Sequence, residues 1–230
     1  TVQGNVNLNK KLSVKKLPVK FKTVDGFFDI SNNGLTSLDG CPKTVTGDFN
    51  CSRNSLISLF EGPTEVNDFD CSYNQLKNLS YAPKEVKGNF DCSNNLIDSV
   101  KGMPRTVKGF FNCSTNKIAT LKGGPKYVDA TFDCSQNLID RLTGGPVSVG
   151  QDYLCFKNNL TDLDGVADEI GFDLVSDIRL NHLSSTFNEE EKTWRYKGSE
   201  VISHIYKPIV ALTNVDDISR WLRKHEIKNF

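Results

Sequence analysis

The feature that most constrains this 230-residue chain is an internal repeat of 20 or 21 residues. A cysteine marks the repeat most clearly, at Cys51, Cys71, Cys92, Cys113, Cys134 and Cys155. Several other residue types keep a constant distance from this cysteine, so the period is not a coincidence of one residue type. A fixed period of this length is typical of solenoids, in which each repeat is one coil and neighbouring coils bury a shared core.

Other positions of the unit keep the same phase as the cysteine. An aromatic residue stands two positions before it, an asparagine three after it, and aliphatic residues five and eight after it. We predict that the aromatic, cysteine and aliphatic side chains point inward. We also predict a structural ladder in which asparagine side chains satisfy backbone groups that the turns leave unpaired. The asparagines are Asn33, Asn54, Asn74, Asn95, Asn116, Asn137 and Asn158.

The unit V-x-G-x-F-x-C-S-x-N-x-L-x-x-L-x-G-x-P resembles the leucine-rich repeat. The family core L-x-x-L-x-L-x-x-N-x-L is matched without a gap from Val66 to Leu76. Most other copies carry one more residue, with a glycine, between Val and Phe. We predict a bulge or tight entry turn there, because glycine tolerates unusual backbone angles. The short unit and its proline-bearing return resemble the bacterial class of these repeats, and similar arrays occur in small proteins of tailed bacteriophages.

The resemblance covers roughly residues 2–170 and implies a β-rich solenoid with one parallel concave sheet and an extended or turn-like convex side. We expect a degenerate first repeat or N-terminal cap over 1–23 and seven clear repeats over 24–170. Residues 171–230 lack the repeat and are expected to form a cap or a small α/β module. The sequence predicts an amphipathic helix over 214–224 that covers the last coil.

Strand residues that alternate with the aromatic and the cysteine are predicted to face solvent on the concave sheet. They are mostly acidic or polar, with a serine after most cysteine positions and several aromatics among them. The pattern favours a docking surface for a protein partner that has a basic surface, with the aromatics as anchors. The candidate contact residues are Phe27, Asp29, Asp48, Asp68, Asp70, Tyr73, Asp91, Phe110, Asp133, Asp152 and Phe156.

Two other interpretations of this surface stay open. Short polar residues also serve simply to keep a solvated sheet soluble. A row of aspartates and asparagines about 4.8 Å apart would alternatively bridge calcium or another metal ion. Each coil offers only one or two oxygens, which is a thin coordination shell, so we expect no metal site.

The sequence argues against catalysis. It has no G-x-S-x-G, phosphate-loop or H-E-x-x-H motif. The cysteines lack the close pairs of zinc sites, and parallel side chains from neighbouring coils suit disulfide geometry poorly. Bacterial leucine-rich-repeat ubiquitin ligases place a catalytic cysteine in a large C-terminal domain, but here no cysteine follows Cys155. We expect a non-enzymatic protein without cofactors, with unpaired buried thiols in a reducing compartment.

Charge leaves two further functions open. The 28 basic and 28 acidic residues balance, but residues 1–23 carry six lysines and no acid, whereas residues 24–170 carry 13 basic and 19 acidic residues. One alternative is association with nucleic acid through the stretch Lys10–Lys22 and the basic, aromatic segment around Trp194 and Arg195. Those two residues would otherwise contact a protein partner. A structural virion component is the other alternative.

The apolar pattern and the family resemblance indicate where the protein acts. No apolar run approaches the ~20 residues of a membrane span, and no basic-then-apolar leader opens the chain. We expect a cytoplasmic protein with no membrane partner. The resemblance to phage repeat proteins implies a viral product that binds or inhibits a factor in the host cytoplasm.

Overall fold

The protein is a parallel β-solenoid of about eight turns. A computed structural model describes residues 1–161, 163, 165–172 and 174–176, together with three strands between residues 185 and 204. Each coil contributes two strands of two or three residues, so the solenoid has two strand-bearing faces. Within these ranges there is no helix that is long and apolar enough to cross a membrane.

The first strand of each coil contains the valine of the repeat, or Ile170 in the last coil. The valine strands pair in register across neighbouring coils, as Val24 does with Val45, and form one sheet of five strands and one of four. The five are β1 (Val2–Gln3), β3 (Thr23–Asp25), β5 (Thr44–Val45), β7 (Glu65–Val66) and β9 (Glu85–Val86). The four are β11 (Thr106–Val107), β13 (Tyr127–Val128), β15 (Ser148–Val149) and β17 (Glu169–Ile170).

In most coils the second strand carries the aromatic residue of the repeat. These strands form one continuous nine-stranded parallel sheet, in which Phe28 lies opposite Phe49 and Phe90 opposite Phe111. We call its outer surface the nine-stranded face. Its strands are β2 (Val6–Asn7), β4 (Phe28–Asp29), β6 (Phe49–Asn50), β8 (Phe69–Asp70), β10 (Phe90–Asp91), β12 (Phe111–Asn112), β14 (Phe132–Asp133), β16 (Tyr153–Leu154) and β18 (Leu174–Val175).

The parallel pairing continues past residue 170, where the sequence pattern was expected to end. Leu174 of β18 lies opposite Tyr153, one coil back, and Ser176, at the position of the repeat cysteine, is buried as the cysteines are. At the other end, residues 1–23 contribute β1 and β2 to the two sheets. The degenerate copies at both ends therefore keep the strand register even where the motif has lost its cysteine and asparagine.

Stacked phenylalanine rings form the centre of the core. The ring centroids of Phe28 and Phe49 are 5.8 Å apart, and those of Phe49 and Phe69 are 5.9 Å apart. Phe21 packs edge-on against Phe28 at 5.0 Å and covers the first ring of the stack. Full burial of each such ring stabilises the fold by roughly 1.5–3 kcal/mol. The core therefore extends continuously along the coils.

The cysteine thiols lie beside the phenylalanine stack. All six cysteines of the repeat are fully buried and form no disulfide, and burial raises the pKa of thiols such as Cys71 and Cys92. Cys41 lies outside this row of cysteines but is also part of the core, at the position that Ala82 and Met103 occupy in later coils. Burial also raises the pKa of Cys41.

In most coils a tight turn that contains a glycine joins the two strands, whereas the turns after Val66 and Val128 contain no glycine. A methyl group at Gly88 would collide with the Asp68 carboxylate of the preceding coil, and one at Gly109 would collide with the Asn89 amide. Only Gly4 and Gly26, in the first two coils, have a positive φ in this turn. The main reason for glycine is therefore the close approach of the preceding coil, and not the unusual backbone angles expected from the sequence.

A three-stranded antiparallel sheet follows the solenoid. It consists of β19 (Ser185–Asn188), β20 (Thr193–Tyr196) and β21 (Ser199–His204). In β20, Trp194 lies opposite Phe187 and Arg195 opposite Thr186. The side chains of Trp194 and Arg195 lie outside the described part of the chain, as does the helix expected over 214–224.

Candidate binding surface on the nine-stranded face

The asparagines bind each coil to the one before it. The Asn95 Nδ2 donates to the carbonyl oxygens of Cys71, Cys92 and Ser93, each at 3.1 Å. The Asn95 Oδ1 accepts from the Leu76 backbone N–H at 3.0 Å. One side chain thus satisfies backbone groups of two coils. Equivalent bonds from the side-chain amide to backbone carbonyls are made by Asn33, Asn54, Asn74, Asn116, Asn137 and Asn158.

In the strands β4, β6, β8, β10, β12 and β14 the second residue is half-buried and bonds to the following turn. The Asp70 Oδ1 accepts from the Ser72 backbone N–H at 2.9 Å and from the Ser72 Oγ at 2.7 Å. The bond from the serine N–H recurs at Asp29, Asn50, Asp91, Asn112 and Asp133.

The serines of this turn are buried, and do not face solvent as the strand alternation predicted. Ser72 is 6% exposed and Ser135 is 1% exposed. Strand alternation stops applying here because the chain leaves the sheet at the serine. The next residue in each coil, such as Tyr73, has a left-handed backbone conformation. One oxygen of each aspartate is engaged by the turn, and the Asp91 Oδ2 also accepts from the Asn112 Nδ2 at 3.3 Å. The second oxygens of Asp70 and Asp133 have no further bond among the described residues.

A second set of hydrogen bonds between coils comes from the polar residue before the phenylalanine in three coils, namely Asp48, Asp68 and Asn89. The Asp68 carboxylate accepts from the backbone N–H and from the side-chain Nδ2 of Asn89, both at 2.9 Å. The Asp48 Oδ1 accepts from the Asn67 Nδ2 at 2.8 Å and from the Asp68 N–H at 3.2 Å. These acids therefore hold the entry of the sheet together, a role that the repeat pattern did not indicate.

An open depression lies on the nine-stranded face around Phe110. Its lining residues include Asp91, Asn112, Asp133 and Thr131 as well as the half-buried Phe110 ring. Burial raises the pKa of the Asp91 carboxyl, and the neighbouring Asp70 adds to the rise, although hydrogen bonds from Ser93 and Asn112 oppose it. Burial likewise raises the pKa of Asp133. Two partly desolvated carboxyls beside an aromatic ring are suited to binding a cation.

The other expected aromatic anchors lie in other coils. Phe27 and Phe156 are half-buried. Tyr73 is 46% exposed, but the Arg53 guanidinium lies 4.1 Å from its ring centroid and already covers one face of the ring. Asp29 and Asp152 are both half-buried. The structure thus groups Phe110 with Asp91 and Asp133 and leaves the remaining expected contacts dispersed along the face.

A pair of exposed aromatics lies elsewhere, on the return segment between the asparagine and the proline. Phe60 is 57% exposed and Tyr81 is 60% exposed, and their ring centroids are 5.2 Å apart in an edge-on contact. The repeat pattern did not predict this pair, because the expected contacts all came from the strands and the turn after them. The available signal was an aromatic at return positions that hold lysine or glycine in later copies, such as Lys101 and Gly102.

The residues that the structure describes contain no group of three or more histidine, cysteine, aspartate or glutamate side chains placed to hold a metal ion. On the nine-stranded face Asn112 separates Asp91 from Asp133, and bonds to serine engage one oxygen of each, although Asp70 and Asp91 are direct neighbours. Comparison with known proteins adds no relative from which a role for this face would follow: no family model, curated protein or solved structure matches the chain.

Proposed function

We propose that this chain is a non-enzymatic leucine-rich-repeat protein of the short bacterial and phage type, which binds a protein partner through the nine-stranded face. The coil length, the inward phenylalanines and the asparagine bonds between coils support the family assignment. The proposed setting is the cytoplasm of a bacterium, where a phage product of this kind binds or inhibits a host factor.

The depression around Phe110 is the observation that carries the proposal. A partner's arginine or lysine side chains would lie against the Phe110 ring and pair with Asp91 or Asp133, which stand about 9.6 Å apart on either side of Asn112. Cation–π contacts contribute about 0.5–2 kcal/mol, and charge-assisted hydrogen bonds are roughly twice as strong as neutral ones. Both carboxyls are partly buried and have lost contacts with water. A cationic ligand would compensate for this lost solvation, which favours its binding further.

The rigidity of the face supports the same conclusion. Both strands on which the carboxylates stand are paired in register with neighbours on each side, as Asp91 is with Asp70 and Asn112. The turn bonds to Ser93 and Ser135 hold the carboxylates in place. Little conformational entropy remains to be lost on binding, which is a general condition for tight association by a small surface.

Site-specific crosslinking tests this proposal. A photoreactive benzoylphenylalanine placed at Thr131 lines the depression, whereas the same group at the exposed Ala119 lies on the return segment. Each variant is irradiated in a nuclease-treated bacterial lysate, and its crosslinked products are identified by mass spectrometry. We expect one protein to be captured from Thr131 and not from Ala119, and to be lost when Asp91 and Asp133 are both changed to asparagine.

Three outcomes of this crosslinking would contradict the proposal. Equal capture from both positions would show that the nine-stranded face has no special role. Capture that survives the loss of both carboxylates would show that the partner is not bound through their charge. Capture of phage virion proteins alone from an infected lysate would favour a structural component of the particle.

A further inference from the structure

A group of basic side chains lies at the corner where the return segment meets the valine strands. Two sequence positions supply them: the ninth residue after the cysteine and the first residue after the proline. In three consecutive coils these positions are occupied by Lys84, Lys101, Arg105, Lys122 and Lys126, which we call the corner patch. Four of the five are exposed and Lys126 is half-buried.

Backbone contacts bring the two rows of the corner patch together. The Lys126 backbone N–H donates to the Arg105 carbonyl at 2.8 Å, which aligns the residues after proline in neighbouring coils. The Lys84 Nζ reaches across to the next coil and donates to the Gly102 carbonyl at 3.0 Å. Gly102 directly follows Lys101, so Lys84 extends toward the other row. Neighbouring coils lie about 4.8 Å apart, which gives closely spaced positive charges along the solenoid axis.

The charges of the corner patch are not neutralised by ion pairs among the described residues. The ion pairs found in this part of the chain involve other lysines, such as Lys43 with Glu61 and Lys108 with Asp129. Lys84 and Lys126 donate to backbone carbonyls, which hold their ammonium groups in place without cancelling their charge. The patch therefore attracts an anionic ligand more strongly than isolated surface lysines do.

Exposed tyrosines flank the corner patch and narrow the class of ligand. Tyr81, 60% exposed, belongs to the same coil as Lys84, and Tyr127, 45% exposed, directly follows Lys126. Acidic peptides and lipid headgroups supply anionic charge but no flat rings for these side chains. A positive surface with aromatic side chains is the usual arrangement for single-stranded nucleic acid, whose bases stack while its phosphates pair with lysine and arginine.

We propose that the corner patch binds the phosphate backbone of single-stranded nucleic acid, with Tyr81 and Tyr127 stacking on bases. Three coils span about 10 Å, a distance comparable to three phosphate intervals of about 3.4 Å each in a stacked strand. The site uses different residues from the depression around Phe110 and does not depend on the protein-binding role of that depression. It is also separate from the N-terminal stretch Lys10–Lys22.

Fluorescence anisotropy with a labelled 20-nucleotide oligothymidylate tests the proposal. Neutralising four phosphates predicts a slope of log affinity against log salt of about −2.8, or roughly a fiftyfold loss between 50 and 200 mM salt. The double substitution Lys101→Glu/Lys122→Glu should lower affinity at 50 mM salt by at least about tenfold. Tyr127→Ala should lower affinity with little change in the salt slope, because stacking releases no counterions.

The matched control is Lys77→Glu/Lys117→Glu, which changes net charge equally at two exposed positions outside the patch. It should lower affinity less than about threefold, because these residues contact no phosphate. Equal loss in both double variants would overturn the proposal, as would absence of salt-dependent binding by the native protein. Lys10→Glu/Lys15→Glu should also have a small effect; a tenfold loss would assign binding to the N-terminal stretch instead. Equally strong competition by polyglutamate would assign the patch to acidic polypeptides and contradict a nucleic-acid site.

Discussion

The Asn95 side chain donates to the Cys71 carbonyl of the preceding coil and to the Cys92 carbonyl of its own coil, both at 3.1 Å. Two carbonyls at the same sequence position in neighbouring coils thus share one amide nitrogen. Both carbonyls lie where the chain leaves the nine-stranded sheet, so pairing with a neighbouring strand does not by itself supply their hydrogen-bond donors. The asparagine therefore holds neighbouring coils at their fixed separation, in addition to the strand pairing.

Replacing this asparagine should weaken the whole array. Asn95→Ala leaves the Leu76 N–H without its partner and removes one of the two asparagine donors from each of the Cys71 and Cys92 carbonyls. We therefore expect a loss of about 1–3 kcal/mol in the free energy of unfolding. The loss is measured by unfolding each variant in urea and monitoring the transition by circular dichroism. Gln75→Ala, at an exposed position, is the control and should change stability by less than about 0.5 kcal/mol. Equal stability of the two variants would refute the structural role of Asn95.

The entry turn at Gly88 is predicted to accommodate a methyl group poorly, for steric reasons, although Ala130 occupies the equivalent position two coils later. Gly88→Ala places a methyl group against the Asp68 carboxylate and should destabilise the protein by about 1–3 kcal/mol. Gly102, by contrast, has a positive φ of 94° and open space around it, so Gly102→Ala should cost about 1 kcal/mol through its backbone conformation alone.

A double-mutant cycle separates these two causes by thermal unfolding. Asp68→Ala should recover part of the loss caused by Gly88→Ala, with a coupling above about 0.5 kcal/mol, because it removes the colliding carboxylate. It should leave the loss caused by Gly102→Ala unchanged. Strict additivity between Gly88→Ala and Asp68→Ala would show that the steric account of this turn is wrong.

Tyr153 is predicted to be a position where a smaller residue stabilises the protein. It continues the phenylalanine stack beyond Phe132, but its hydroxyl is buried without a hydrogen-bond partner in the described part of the chain. Tyr153→Phe should raise the free energy of unfolding by about 1–2 kcal/mol, because an unsatisfied buried polar group is removed. The reverse change, Phe132→Tyr, should be destabilising. A loss of stability in Tyr153→Phe would show that the hydroxyl has a partner.

The Asp91 carboxyl should make stability depend on pH. Burial raises its pKa in the folded protein, so the folded state holds its proton more tightly than the unfolded state does. The resulting stabilisation is complete below the unfolded pKa of about 3.9 and is lost as pH rises through the raised folded pKa.

Asp91→Asn should therefore raise the melting temperature at neutral pH and have little effect in acid. The amide keeps the bond to the Ser93 N–H, as Asn112 does with Ser114 in the next coil. Asp98→Asn, at an exposed position on the return segment, serves as the control. A lower melting temperature for Asp91→Asn at neutral pH would mean that the folded protein stabilises the charged carboxylate, which contradicts a raised pKa for Asp91.

The sequence was sufficient to predict the solenoid and which residues line its core. One period combined with an inward aromatic such as Phe90 leaves a single way to stack the coils. The sequence did not show that the valine strands form sheets separate from the nine-stranded sheet. The L-x-x-L spacing is the same for one continuous strand and for two strands that a glycine turn separates. The burial of Ser72 was missed for a related reason, since alternation applies only while the chain stays extended.

The candidate sites were only partly predictable. Alternation along the strands identified Phe110, Asp91 and Asp133 one by one. Their grouping in one depression depends also on the small or uncharged residues around them, such as Asn112 and Ala130. The rows of the corner patch lie on the return segment, where no regular pattern marks which side chains are exposed. Side chains that reach across coils, as Lys84 does to Gly102, have no signature in a single repeat.

Calorimetric titration of the partner captured from Thr131 tests the central claim most directly. Phe110→Ala should weaken its binding by at least about tenfold, as expected for an aromatic at the centre of a small interface. Phe60→Ala, which removes an exposed ring from the return segment, should change the affinity less than about twofold. Equal affinity of the native protein and Phe110→Ala, or a larger loss in Phe60→Ala, would contradict binding through the nine-stranded face.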